Sequence, residues 1–180
     1  MRAAERAARA GRAGDHAADS TQCDGSMSMT TMKAIRFSQT GGPEVMHLED
    51  VEIPEPGPGQ ARVKIEAIGV NFIDIYQRAG HYKLPLPATP GTEAAGVIEA
   101  MGPRLPDYHP TSIHEIGAGS RVAGVAFAGA YAQYALAFTE QLVAVPDAIE
   151  TRTAAAVMLQ GMTAHYLSRS TFGLDRRMYC

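Results

Sequence analysis

From Met32 onward the chain is built of short apolar runs that alternate with polar residues and are cut by glycine or proline every few positions. That pattern constrains the fold more than any other feature. Alternation at period two puts apolar side chains on one face of an extended strand, and the breakers leave little room for long helices. Met32–Phe37 reads as a first strand, Gly41-Gly42-Pro43 as a turn, and Met46–Ile53 as the antiparallel return. The run Pro54-Glu55-Pro56-Gly57-Pro58-Gly59 can neither feed a ladder regularly nor continue a helix, so it is expected to be a surface loop. Ala61–Val70 alternates strongly and is expected to place Val63, Ile65, Ala67 and Gly69 on one face.

The period changes at Asn71. Asn71 suits a helix N-cap, Phe72, Ile73, Ile75 and Tyr76 follow at helical spacing, and Gly80 suits the position just past the C-terminus, which predicts one helix of two turns. After a proline-rich loop over residues 84–90, strands are expected at Gly96–Met101, Arg121–Phe127, Tyr131–Phe138 and Leu142–Val145, with a polar excursion over 103–119. Helices are expected at Thr151–Met158 and Met162–Thr171. There is no internal repeat. The predicted fold is mainly β with short helices: a small, partly open β-barrel with a C-terminal helical exit. Three segments follow: residues 1–31 as a disordered extension, 32–146 as the barrel domain, and 147–180 as linker helices.

Composition narrows the function classes. The 180 residues carry 16 basic and 19 acidic side chains, a net charge of −3, without a basic run, which argues against a partner held by charge such as nucleic acid or a membrane surface. No apolar stretch approaches the length of a membrane span. Residues 1–28 are rich in Ala, Arg, Gly and Asp with almost nothing to bury, hence the expectation of disorder. Arg2, Arg6, Arg9 and Arg12 share a helix face, as in a mitochondrial presequence, but Glu5, Asp15, Asp19 and Asp24 oppose that reading. Cys23 and Cys180 form no CxxC pair, so no disulfide framework or cysteine-based zinc knuckle is expected, and a reducing, cytosolic setting fits. None of the six histidines pairs at a spacing that would put two imidazoles on one helix face. Gly117-Ala118-Gly119-Ser120 lacks a third glycine and precedes a strand, whereas a dinucleotide fingerprint must follow a strand and open a helix.

The informative segments are Ala67-Ile68-Gly69-Val70-Asn71-Phe72-Ile73-Asp74-Ile75-Tyr76 and Pro90-Gly91-Thr92-Glu93-Ala94-Ala95-Gly96. With Gly41-Gly42-Pro43-Glu44-Val45 and Leu159-Gln160-Gly161-Met162-Thr163-Ala164-His165-Tyr166, they occur in an order that closely resembles the zinc-independent quinone oxidoreductase branch of the medium-chain dehydrogenase/reductase superfamily. The resemblance runs over about Met32–Thr171. It implies a GroES-like barrel followed by a Rossmann domain, with the active site between them, and it lapses at about Gly173, where Leu174–Cys180 replaces the expected entry into the first nucleotide-binding strand. A chain shortened before its Rossmann domain is therefore expected.

The resemblance also implies roles. Asn71, Thr92 and Gln160 stand where zinc-dependent relatives hold cysteine and histidine ligands; amide and hydroxyl oxygens are poor substitutes for thiolate and imidazole, so no metal is expected. Only Glu93 keeps the dehydrogenase pattern. An electron-poor quinone accepts hydride without a Lewis acid, which suits a zinc-free site. Phe72, Ile73, Asp74, Thr163 and Tyr166 are expected at the nicotinamide end of NADPH, and Tyr76 and Asn71 as the catalytic pair, with the Tyr76 hydroxyl able to hydrogen-bond a quinone oxygen. The substrate expected is a quinone, or a conjugated enone. The rival expectation is a non-catalytic module, either the partner of an intact relative or a frameshift product. On either reading the chain alone is expected to bind NADPH poorly and to self-associate through its C-terminal helices.

Overall fold

The computed structural model describes residues 30–105, 116–171 and 173. The expected N-terminal disorder, Cys23, Cys180, His109, His114 and the departure after Gly173 lie outside these residues. Among the described residues seven strands and two α-helices form: β1 (Thr31–Arg36), β2 (His47–Glu52), β3 (Gln60–Gly69), α1 (Phe72–Ala79), β4 (Glu93–Met101), β5 (Arg121–Gly124), β6 (Tyr134–Phe138), β7 (Val143–Ala144) and α2 (Thr151–His165). β1 and β2 pair as an antiparallel hairpin, from Thr31 opposite Glu52 to Arg36 opposite His47. The other five strands make one antiparallel sheet in the order β6-β3-β4-β5-β7. Short backbone links join the two sheets: the Ile35 N–H donates to Tyr131 O at 2.8 Å and the Gln133 N–H to Lys33 O at 3.0 Å. The sheets stay open at their edges, so the partly open barrel expected from the alternation is the architecture observed.

Each face of the five-stranded sheet has its own apolar layer. One holds Val63, Ile98, Val122, Phe127 and Leu142 with several alanines. The other holds Ala95, Ala123 and Val145 against Ala154 and Ala155 of α2. Alanine on both sides lets the helix approach the sheet closely, and the alternation that sends Ala95 toward α2 sends Glu93 to the same side.

Four expectations change. β4 begins at Glu93, three residues before the expected start at Gly96. Ala67 does not share a face with Ile65, because a bulge steps the register from Ile65 opposite Gly96 to Ala67 opposite Ala95; the extra residue, Glu66, turns the end of β3 so that Ala67 packs in the α2 layer while Ile65 stays in the other. The two C-terminal helices are one. α2 runs unbroken to His165 and widens into a π-helical turn at Tyr166–Thr171. Gly161 costs a helix about 1 kcal/mol but is no barrier without a proline beside it. Finally, β5 and β6 are shorter than the apolar runs suggest, since residues 125–133 leave the ladder to meet the loop before β4: the Phe127 N–H donates to Thr92 O and the Ala130 N–H to Gly91 O.

Candidate active site

α1 begins and ends as its sequence dictates. The Asn71 backbone N–H donates to Asp74 Oδ2 at 2.9 Å, and Gly80 takes the left-handed conformation at φ 86° that a side chain would resist. The helix is strongly two-sided. Asp74 turns inward and is buried, while Phe72 is 74% exposed and Tyr76 41%. The Phe72 and Tyr76 rings, one helical turn apart, stack with centroids 6.2 Å apart. His81 meets Tyr76 edge-on at 5.8 Å, and Tyr82 lies tilted against it at 6.0 Å. An aromatic face is thus presented outward, with Ile73 half-buried at its side.

Behind that face runs a polar chain. Glu93 is fully buried, and both its oxygens accept: Oε2 from Asn71 Nδ2 at 2.7 Å, Oε1 from the backbone N–H of Leu159 at 2.7 Å. Asn71 Oδ1 in turn accepts from Gln160 Nε2 at 2.9 Å. Gly69 makes the space, because a Cβ there would fall on the Glu93 carboxylate. Asn71 and Gln160, two of the three positions that the resemblance implies match zinc ligands, are therefore bonded to each other. Asn71 is committed at both ends of its amide and Gln160 at its nitrogen, and among the described residues no cluster of three or more His, Cys, Asp or Glu could hold a metal. The donor set does not fit zinc.

Thr92, the third such position, lines a cleft of about 310 Å³ together with Gln77, Leu84, Pro85, Ala88 and Phe127. The cleft is mostly apolar with a few polar groups, the usual character of a small-molecule site. Tyr76 is not in its wall; it stands on the aromatic face one residue from Gln77. Thr163 is exposed on α2, one turn beyond Gln160, and Tyr166 is exposed at the start of the π-helical turn. The structure thus brings Asn71 and Gln160 together where the start of α1 meets α2, and stacks Phe72 on Tyr76 along the outward face of α1. Asp74 is turned away from that surface.

Asp74 meets a residue that sequence reasoning missed. Tyr131 Oη donates to Asp74 Oδ2 at 3.2 Å from 57 positions away, while the second oxygen, Oδ1, is buried without a partner among the described residues. No local spacing marks such a pair. Burial first, then the adjacent Asp74 charge and the hydrogen bond to it, push the Tyr131 phenol from 10.0 to about 12. A phenol whose pKa rises on folding stabilises the folded state fully below its unfolded value and loses that contribution as pH climbs through the folded one. Stability is expected to fall between about pH 10 and about pH 12, and Tyr131→Phe to flatten that part of the profile; denaturant midpoints measured across the range check it, an identical slope in both proteins being the contrary result. Tyr82, also missed, had a visible signal: an aromatic residue just past a helix-ending glycine.

Comparison with known proteins adds the following. Residues 57–147 match the alcohol dehydrogenase GroES-like domain. A quinone oxidoreductase of Pseudomonas aeruginosa is 43% identical over 144 residues, covering 79% of this chain and 42% of that protein. Quinone oxidoreductase 1 of Escherichia coli is 37% identical over 140 residues, covering 77% and 40%. Among solved structures, a mycobacterial protein complexed with NADPH superposes with a TM-score of 0.73 at 41% identity, covering 81% of this chain and 42% of its own. The Escherichia coli quinone oxidoreductase complexed with NADPH gives 0.69 at 35% identity, covering 79% and 42%. The chain spans about two fifths of the length of the curated relatives it matches. No helix among the described residues is long and apolar enough to cross a membrane.

Proposed function

The chain belongs to the alcohol dehydrogenase GroES-like domain family, in the quinone oxidoreductase branch of the medium-chain dehydrogenase/reductase superfamily, and from that premise we propose that it forms the substrate-side wall of a zinc-free site for hydride transfer from NADPH to a quinone in the cytosol. The observation that carries this reading is the junction of α1 and α2, where an exposed aromatic face (Phe72, Tyr76) adjoins an amide pair (Asn71, Gln160) standing where a metal-dependent relative needs ligands.

The nicotinamide end of the cofactor fits this surface. Phe72 offers an exposed ring to a planar heterocycle, half-buried Ile73 follows it on α1, and Thr163 of α2 and Tyr166 of the π-helical turn are exposed to meet the cofactor from the other side. Asp74 contributes by holding the start of α1 through the Asn71 N–H rather than by touching the cofactor. The pyrophosphate end has no counterpart among the described residues: Gly117–Ser120 closes a tight turn, with the Ser120 N–H donating to Gly117 O at 2.9 Å, and leads into a strand. Bound there, the nicotinamide would supply the hydride. The residues of this chain orient and polarise: Tyr76 Oη donates a hydrogen bond to a quinone oxygen as negative charge builds on it, Asn71 holds the helix that carries Tyr76, and the apolar walls of the neighbouring cleft exclude water from the ring. A conjugated enone places an oxygen similarly and is the alternative substrate class.

The rival reading, a non-catalytic module, draws on the exposed apolar side chains Val157, Met162, Tyr166 and Leu167 of the C-terminal helix, an uncovered patch through which the chain would self-associate or meet a partner. One experiment separates the two. The 180-residue chain alone and the chain fused to the nucleotide-binding domain of one of its relatives are assayed for quinone-dependent NADPH oxidation. The fusion is expected to be active and the chain alone inactive, with no saturable micromolar NADPH binding. Tyr76→Phe in the fusion is expected to lower turnover about tenfold with the fold intact. A folded fusion without activity overturns the proposed function, and unchanged kinetics for Tyr76→Phe leave that hydroxyl no catalytic part.

A further inference from the structure

A buried side chain usually satisfies its polar atoms within its own neighbourhood. Glu93 instead spans three elements. It sits at the first position of β4, takes a backbone N–H from the middle of α2, and takes the side-chain amide of the residue that opens α1. The chain of donors then continues outward from Asn71 to Gln160, whose side chain is exposed. An amide has one donor end and one acceptor end, so the direction of each link decides the next. Because both Glu93 oxygens accept, Asn71 must turn its nitrogen inward and its oxygen outward. Gln160 must then turn its nitrogen inward as well, which leaves its carbonyl oxygen as the outer end.

We propose that Glu93 is a positioning residue that sets the polarity of this amide relay, locking α2 to the N-terminus of α1 and fixing Gln160 with its carbonyl oxygen toward the outside of the junction. A cation or a metal is not needed to hold the two helices together there; a carboxylate with two N–H donors does it. Gly69 belongs to the same device, since only a residue without a Cβ admits the carboxylate under the end of β3. That the junction so held is the hydride-transfer site rests on the function proposed above. The direction of the relay does not.

The polarity gives the relay a signature that packing alone lacks. Gln at position 93 keeps the shape but replaces one acceptor by a donor. Its oxygen can still take the Leu159 N–H, and its nitrogen must then donate to Asn71, which flips and passes the reversal to Gln160. Side-chain and backbone amide hydrogen exchange, followed by NMR on the 180-residue chain, reads this directly. In the wild type, slowed exchange is expected for Asn71 Nδ2, for Gln160 Nε2 and for the Leu159 amide. In Glu93→Gln, Asn71 and Leu159 are expected to stay slow while the Gln160 amide protons speed up about tenfold, having lost their acceptor.

Gln160 exchange unchanged in a folded Glu93→Gln chain would overturn the relay. If that variant does not fold, the wild-type chain decides by itself: Asn71 and Leu159 protons exchanging like free amides overturn the proposal, and slowed exchange at all three groups supports it. Gln160→Met, at an exposed position, adds a second check, with Asn71 expected to stay slow because Glu93 still holds it; release of Asn71 there would show that Gln160, not Glu93, sets the direction. These readouts need no cofactor or substrate. An inactive fusion would therefore sink the proposed function and leave the relay standing, while fast exchange beside an active fusion would sink the relay alone.

Discussion

Gly96→Ala is expected to cost the chain about 3 kcal/mol of stability or more, the largest loss of any single methyl group added to the sheet. Gly96 pairs with Ile65 in the middle of the β3–β4 ladder, and a Cβ there would fall on the backbone carbonyl of Lys64 and against the Ile65 Cα. Neither atom can swing aside as a side chain could. The ladder would have to part at the centre of the five-stranded sheet, beside Ala94 and Ile98 of the core. Overpacking a core costs about 1–3 kcal/mol where side chains can adjust, and a backbone clash lies at or above the top of that range. Against a total stability of about 5–15 kcal/mol for an ordinary domain, that is a large fraction. Gly161→Ala is the matched control: its Cβ would meet only Val157 Cβ at an ordinary 3.7 Å, and the helix gains about 0.5–1 kcal/mol. Denaturant midpoints of both variants check this, and a wild-type midpoint for Gly96→Ala would show that the ladder yields there.

Glu93→Ala is expected to cost about 3 kcal/mol, because it strands two donors at once and opens a hole beneath Gly69. The Asn71 amide and the Leu159 N–H both lose their acceptor, and the attachment of α2 then falls to the small apolar layer of Ala95, Ala123, Val145, Ala154 and Ala155 with the Arg121–Thr151 and Gln160–Asn71 bonds. The expected pattern is uneven. Amide exchange should quicken along α2 and around Asn71 while the β1–β2 hairpin keeps its protection, since the hairpin shares none of these bonds. Loss of protection spread evenly over the whole chain would show instead that Glu93 supports the entire fold and not this junction.

Much of the molecule was legible in its residues. The hairpin strands from Met32 and the capped helix from Asn71 to Gly80 appear where alternation and glycine placement put them, and the later strands appear with shifted ends. Those signals are local: a period, a cap or a positive φ depends on residues a few positions apart. The motifs pointed to a superfamily with a GroES-like barrel, and residues 57–147 match the alcohol dehydrogenase GroES-like domain. The π-helical end of α2 and the bulge at Glu66 left no comparable mark.

What the sequence by itself determined, then, is which segments are strands, where α1 begins and ends, and that Asn71, Thr92 and Gln160 offer no thiolate or imidazole to a metal. Only the tertiary structure decided that Asn71 bonds Gln160 across 89 positions, that Glu93 reaches Leu159 across 66, and that Asp74 turns inward to Tyr131 rather than outward beside Phe72. The physical reason is that a buried polar group takes whatever partner the packed elements bring within about 3 Å. Which elements those are follows from the strand order β6-β3-β4-β5-β7 and from the alanine-lined approach of α2 to that sheet, and no run of neighbouring residues encodes either.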